Sequence, residues 1–403
     1  MEIENKKGSK IAIIIGVLAV ALVIGILVIV KCFGNSDSGD NGKSKDEKKN
    51  ILSTKYKLID YRVSKCSEVS DGVICLSSAD TKKHEEVLIK FNKDNDIVWK
   101  KEVNEEAKLE GKITGSALSC NNEGMCAYGA DYSNAPVASE QGMIILFNNQ
   151  GDKVFEIKTD TYYTHLTNDI KIVEGGIVVT GEYYDKDKND NYKGFVSKYD
   201  LNGKLLWKST YDQEDEYRFN NVALASDGSI YVVGYTKVLK SNMEKSRGLL
   251  IKLDKTGQMI WKKEYEKDEI ESSYHDILVN EKGEVFVLGT RDKEANALDQ
   301  LNIFIKYDST GKKISEKNNS VAQIEEIYFY NQDKIIGYGN GEDKEIVILN
   351  MSDTKNKVLL DNSKYDIITG VVSNGENLMI MTVTKESNNK TGIININNDE
   401  LFK

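Results

Sequence analysis

From residue 51 onward, apolar and polar positions alternate in short runs that reset at turns carrying Asp, Asn or Gly. No stretch after that point keeps the 3.6-residue period of a helix, so the pattern predicts strands throughout. Residues 194–207 (GFVSKYDLNGKLLW) and 248–261 (GLLIKLDKTGQMIW) each read as a hairpin: an alternating run, a turn with Asp and Gly, and a second run ending on Trp. The same thirteen-residue offset recurs from Glu86 to Trp99 and from Gly142 to Phe155. Weaker copies span 302–315 and 345–358, and a truncated one starts at Gly392. All three tryptophans, Trp99, Trp207 and Trp261, occupy one repeat position, which Phe155 takes in the second copy.

A second hairpin precedes each copy. In the fourth unit it is 220–236 (NNVALASDGSIYVVGYT), with an Asp-Gly turn between two apolar runs. Each unit is therefore four short strands, and units recur about every 50 residues, the period of propeller blades. Counting second strands gives seven units, so the expected fold is an all-β, seven-bladed propeller of four-stranded antiparallel blades filling 51–403. A pair of β-sandwiches would leave the regular Trp position without a cause. The last unit has only three strands before the chain ends, and unpaired edges invite aggregation. The stretch Ile51–Lys57 is expected to supply or extend its fourth strand, closing the ring between the two termini.

Ahead of the repeats, Ile11–Val30 is twenty residues without a polar side chain, fifteen of them Ile, Leu or Val. Twenty helical residues span roughly 30 Å, the thickness of a bilayer's hydrocarbon. The run exceeds the apolar core of a cleaved signal, and Val30-Lys31 before Cys32 lacks the small residues a lipobox needs. The expected organisation is a cytoplasmic N-terminus (1–10), a transmembrane helix (11–31), a polar linker (32–50) and the propeller (51–403). Lysines flank the span on both sides, so charge alone leaves its orientation open. The cysteines lean one way: Cys66/Cys75 and Cys120/Cys126 each flank a predicted hairpin turn. Cross-strand pairs at such spacing can meet disulfide geometry, which persists outside the reducing cytosol; the alternative is four buried thiols. The favoured placement is a single-pass membrane protein with the propeller outside.

The units Asp200-x-x-Gly203-x-x-x-Trp207 and Asp254-x-x-Gly257-x-x-x-Trp261, with the Asp227-Gly228 hairpin between them, resemble SBBP-type β-propeller repeats. More distantly they resemble the tryptophan-docking units of PQQ-like propellers. The resemblance implies that Trp99, Phe155, Trp207 and Trp261 dock between neighbouring blades. It covers about two blades well; elsewhere Asn92 and Asn148 replace the Asp, and the last two blades have neither residue. Quinoprotein dehydrogenases share that fold but need cofactor ligands with no counterpart here.

In a blade of strands A to D, the A–B and C–D turns share one face and the B–C and D–A loops the other. The first set is short and the second long, polar and variable (131–141, 184–193, 237–247, 291–301), so binding is expected on the variable-loop face. Its expected partner is a protein, peptide or glycan. A formal charge of −10 with interspersed lysines argues against nucleic acid. Asp169, Asn221, Asp276, Glu326 and Asp366 stand just before the apolar run of each innermost strand. They are expected to ring the channel mouth, either as ligands for a hard cation such as Ca²⁺ or as caps on their own loops. No other cofactor is implied. Asp185–Asn191 begins like a calcium loop but lacks its sixth-position Gly and its closing Glu. Of His84, His165 and His275, the last, beside Asp276, is the best candidate base; no nucleophile elbow or phosphate loop appears. The expected role is a non-enzymatic binding propeller. The alternatives are an envelope hydrolase or lyase acting on polysaccharide and a scaffold within an envelope complex.

Overall fold

Strands B and C of each blade are apolar on both faces, whereas the outermost strands alternate and leave residues in solvent. In the third blade, strand B (Gly176–Tyr184) is buried along all but its last residue, while strand D (Leu205–Tyr211) is half exposed. That contrast is what radial stacking of sheets requires, because middle strands are covered by neighbours on both sides. The computed structural model describes residues 51–52, 57–79, 86–108, 112–133, 140–162, 164–184, 191–211, 215–237, 245–265, 270–292, 300–319, 322–331, 334–341, 346–360, 365–384, 387–397 and 401. They form a seven-bladed β-propeller. Blades one to six run 61–102, 112–162, 164–211, 216–264, 272–319 and 322–360, each as four antiparallel strands in sequence order. Blade seven takes three strands from 365–397 and its outer strand, Lys57–Ile59, from the other end of the chain.

The core is seven clusters, one at each interface between neighbouring blades. Val178 and Val196 of blade three meet Phe219, Val222 and Leu249 of blade four, for example. The last interface joins Ile59, Val372 and Met379 of blade seven to Val63, Val73 and Phe91 of blade one. Burying each such side chain contributes roughly 1.5–3 kcal/mol, so the seam that closes the ring resembles every other interface.

The closing strand lies further along the chain than the expected Ile51–Lys57. Ile59, not the segment ending at Lys57, carries the buried contact, with Leu58 turned outward. A one-residue slip in a strand exchanges its faces, so the position of the one apolar residue that fits the seam fixes the register. Ile51–Leu52 adds a fifth, parallel strand to blade six, beside Leu359 and Leu360. Leu401, near the C-terminus, is fully buried between blades six and seven. A five-residue helix, Val103–Ala107, interrupts the β pattern after blade one; it buries Val103 and Ala107, one helical turn apart.

The tight turns repeat one geometry. Asn92, Asn148, Asp200, Asp254 and Asp308 open the C–D turns, each using a side-chain oxygen to accept backbone N–H groups two and four residues on. The Trp207 indole donates to Lys255 O at 3.2 Å, in the next blade's C–D turn, and that of Trp99 donates to Asn149 O at 3.0 Å. Gly257 has φ +83°, and a Cβ there would stand 2.5 Å from the Trp207 ring. Trp261 seats in the same way against Gly311, and Phe155 against Gly203. Cys66–Cys75 and Cys120–Cys126 are disulfide-bonded across the A–B hairpins of blades one and two.

Among the described residues no helix is long and apolar enough to cross a membrane. The expected span 11–31, the linker 32–50, Cys32 and His84 lie outside those residues. Much of the long-loop face does too, including 134–139, 185–190, 238–244 and 293–299.

Candidate functional site

Every innermost strand carries a β-bulge at one position. The extra residues are Ser64, Ser116, Asn168, Asn220, His275, Glu325 and Thr369, blade by blade. A bulge leaves its residue outside the ladder and frees the carbonyl before it. Four of those carbonyls are satisfied from the preceding blade. Asn168 Nδ2 donates to Phe219 O, and Asn220 Nδ2 to Tyr274 O, both at 2.7 Å. Ser116 serves Thr167 O, and Asn302, from strand C, serves Ile324 O at 3.0 Å.

The residue after each bulge lines the channel: Lys65, Ala117, Asp169, Asn221, Asp276, Glu326 and Gly370. Asp169 Oδ2 accepts Val222 N of the next blade at 3.1 Å and pairs with Lys171 at 2.7 Å. Asp276 accepts Ile277 N at 2.8 Å, Ile327 N of the next blade at 2.9 Å and Asn221 Nδ2 at 2.9 Å. Glu326 takes the Tyr338 hydroxyl and pairs with Lys65, reaching past blade seven, which presents only Gly370. Burial, then the nearby Glu326 charge, pushes the Asp276 carboxyl up to about 7, against the pull of the two amides and Lys171. Burial would also raise Glu326, but Lys65, Tyr338 and Lys171 outweigh it and hold that carboxyl below its usual range. Burial lowers Lys65, while Glu326, Asp169 and Asp276 together carry it above the usual lysine value.

Asp169, Asn221, Asp276 and Glu326 are therefore brought to one height of the channel. They sit four to five residues into their strands, midway down rather than at the mouth. Asp366 is exposed at the start of its strand, four residues before Gly370, and does not join them. The apolar run that marks the other four begins early in blade seven, so Asp366 matches by pattern and not by register. The carboxylates meet amides of neighbouring blades and two lysines, not their own loops. Among the described residues no group of three or more His, Cys, Asp or Glu side chains is arranged to hold a metal ion. A pattern of acids does not point to Lys65 and Lys171. Lys65 occupies blade one's copy of the same repeat position, which an alignment of bulges reveals.

His275 turns to its own sheet, where Nε2 lies 2.9 Å from Thr290 Oγ1, and burial lowers its pKa. His165 is almost fully buried, 5.2 Å from the Phe195 ring and 3.6 Å from Asp131.

A second cluster stands at the long-loop ends of blades three and four. Strands B and C of blade three close on the pair Tyr184 and Tyr192, whose rings lie 5.5 Å apart. The Arg218 guanidinium sits 3.6 Å above the Tyr192 ring and 6.0 Å from that of Tyr235. It donates to Glu216 at 2.6 Å and to Glu182 at 3.3 Å. Glu182 is only 4% exposed. Burial pushes its carboxyl up to about 7; Arg218 pulls it down, while Glu216 and Asp131 push it further up. Arg218 is not among the residues that the sequence pattern marks as candidates. A signal was present: the chain has four arginines among 54 basic residues, and Arg218 follows Glu216 and Tyr217 at a predicted strand start. A half-exposed aromatic face, a fixed guanidinium and two acids can stack on a ligand's flat or apolar face and hydrogen-bond its polar groups.

No family model matches the chain, and no curated protein matches it in sequence. Solved propellers do match in fold. The β-propeller domain of the trilobed protease from Pyrococcus furiosus superposes with a TM-score of 0.52 at 10% identity, over 86% of this chain and 98% of that one. The Pyrococcus horikoshii acylaminoacyl peptidase gives 0.52 at 11% identity, over 80% of this chain and 49% of that one. The polysaccharide lyase Uly1 gives 0.50 at 10% identity, over 90% of this chain and 93% of that one. At such identities the likeness is one of fold.

Proposed function

We propose that this protein is a membrane-tethered binding propeller that holds a glycan at the long-loop ends of blades three and four. The observation that carries the reading is the Tyr184–Tyr192 pair with Arg218 fixed on it between Glu182 and Glu216. Sugars present apolar C–H faces to aromatic rings and hydroxyls to charged acceptors and donors, and both are here within one cluster. The channel belt is ascribed a structural part, since its acids clasp one blade to the next. The tether reading rests on the apolar run 11–30, and the SBBP-type resemblance of 194–291 belongs with it, as repeats of a surface propeller.

The Uly1 likeness and the raised Glu182 carboxyl favour a second reading, an envelope polysaccharide lyase or hydrolase in which Glu182 supplies a proton. One experiment separates the two. Full-length protein in lipid nanodiscs is incubated with cell-envelope polysaccharide fragments, followed for retention and for new reducing or unsaturated ends. Retention without new ends, lost in Tyr184→Ala/Tyr192→Ala, supports the binding reading. New ends that vanish in Glu182→Gln support the enzyme. Equal retention by wild type and the double variant contradicts both.

A further inference from the structure

Every exposed large apolar side chain among the described residues lies on the outermost strand of a blade. Five share one structural position. The outer strands of blades one to five each carry a β-bulge just after the C–D turn, and its extra residue is Val98, Val154, Leu206, Ile260 or Ile314. These five are 48–56% exposed. In three blades the preceding residue, Ile97, Leu205 or Met259, is 41–50% exposed as well. A bulge re-aims its side chain out of the pleat, so the fold repeats an outward aliphatic at one level of five consecutive blades. Blade six breaks the series with Thr354, Lys355 and Asn356, and it is the blade whose outer edge receives Ile51–Leu52.

We propose that this arc, on the tight-turn rim, docks on an anionic lipid bilayer. The inference rests on the tether reading above. Apolar residues spread in ones and twos along a rim suit shallow insertion into a plane better than they suit a protein partner, whose interface core needs a compact patch. Exposed lysines adjoin them, among them Lys100, Lys204, Lys262 and Lys312. The five turn-and-strand segments (92–102, 148–158, 200–210, 254–264, 308–318) hold thirteen lysines and ten carboxylates, in a chain of net charge −10. A crevice of about 560 Å³ opens beside Ile314, lined by Lys263, Lys312 and Lys313 with Tyr265, Tyr307 and one carboxylate, Glu264, which pairs with Lys262; a lipid phosphate would find three ammonium donors there. Strand Ile51–Leu52 runs parallel to the outer strand of blade six beside its last two residues, Leu359 and Leu360, so it lies at the D–A end of that strand, with its N-terminal direction pointing back along the strand toward the C–D turn. A random-coil chain as long as the expected linker 32–50 would span about 25 Å, so even weak surface affinity suffices for docking. Docked on this rim, the propeller points its long-loop face away from the membrane.

The tryptophans supply the probe. Trp99, Trp207 and Trp261 directly follow Val98, Leu206 and Ile260, and the apolar run 11–30 contains none. Full-length protein is reconstituted into vesicles of phosphatidylcholine and phosphatidylglycerol, with acyl chains brominated or plain, and checked by flotation. The expected result is weaker tryptophan emission in brominated vesicles, recovered in 0.5 M salt and in Val98→Asp/Leu206→Asp/Ile260→Asp of unchanged near-ultraviolet dichroism. Equal emission in both vesicle types from protein that floats overturns docking and leaves the tether standing. Protein that does not float overturns both. Quenching that survives the triple substitution overturns the arc as its cause. A dimer in detergent that the same substitutions dissociate overturns it in favour of a second copy as the occupant.

Discussion

Asp276 shows how a single residue serves two blades. Its oxygens accept amides from strands of blades five and six, yet burial and Glu326 hold its carboxyl at about 7. In the unfolded chain it titrates near 3.8, the ordinary value of an aspartate. Between those values the folded chain keeps a proton that the unfolded chain has lost. Stability from this group is thus full below about pH 4 and falls as pH rises towards 7. Asp276→Asn stays uncharged throughout, so its urea-unfolding free energy should fall less from pH 5 to pH 8 than the wild type's, by on the order of 2 kcal/mol. Parallel pH profiles would refute the assignment. At the blade seats, Gly257→Ala forces a left-handed backbone and meets the Trp207 ring, and should cost about 1–3 kcal/mol in the same assay.

At the scale of elements, the repeat was readable because turn chemistry and strand alternation coincide in each blade: Asp200–Trp207 and Asp254–Trp261 carry turn, seat and anchor in eight residues each. Registers were harder to read. The inner-strand bulges have no consensus residue, ranging from Ser64 to His275 and Glu325, because their side chains find different partners: Asn168 and Asn220 reach the next blade, whereas Ser64 and His275 bond within their own. For that reason Asp366 matched the acidic pattern without belonging to the belt, and Lys65 belonged without matching. Arg218 went unnoticed for a related cause: its partners Glu182 and Tyr192 are distant in sequence and meet only once strands of blades three and four pack. The closing strand is short, so its stability is concentrated in Ile59. Ile59→Asp should cost about 3 kcal/mol or more by burying an unpaired charge at the seam. Leu58→Asp, on the exposed side of the same strand, should change unfolding by less than about 0.5 kcal/mol. Equal losses in both would show that the strand does not seal the ring in this register.

For the whole molecule, ring closure, paired cysteines and a polar loop face fit a propeller outside the cytosol. With both hairpin disulfides formed, denatured, unreduced protein should show no more than one thiol per chain, that of Cys32. Five thiols would point to a reducing compartment and against the proposed placement. The functional claim rests on one corner of the ring. Amide hydrogen exchange of the full-length protein in nanodiscs, with and without the envelope oligosaccharides it retains, tests that corner most directly. The account predicts added protection confined to the strand ends around Tyr184, Tyr192, Arg218 and Tyr235. Protection centred instead on the channel around Asp169, Asp276 and Glu326, or no change anywhere, would contradict it.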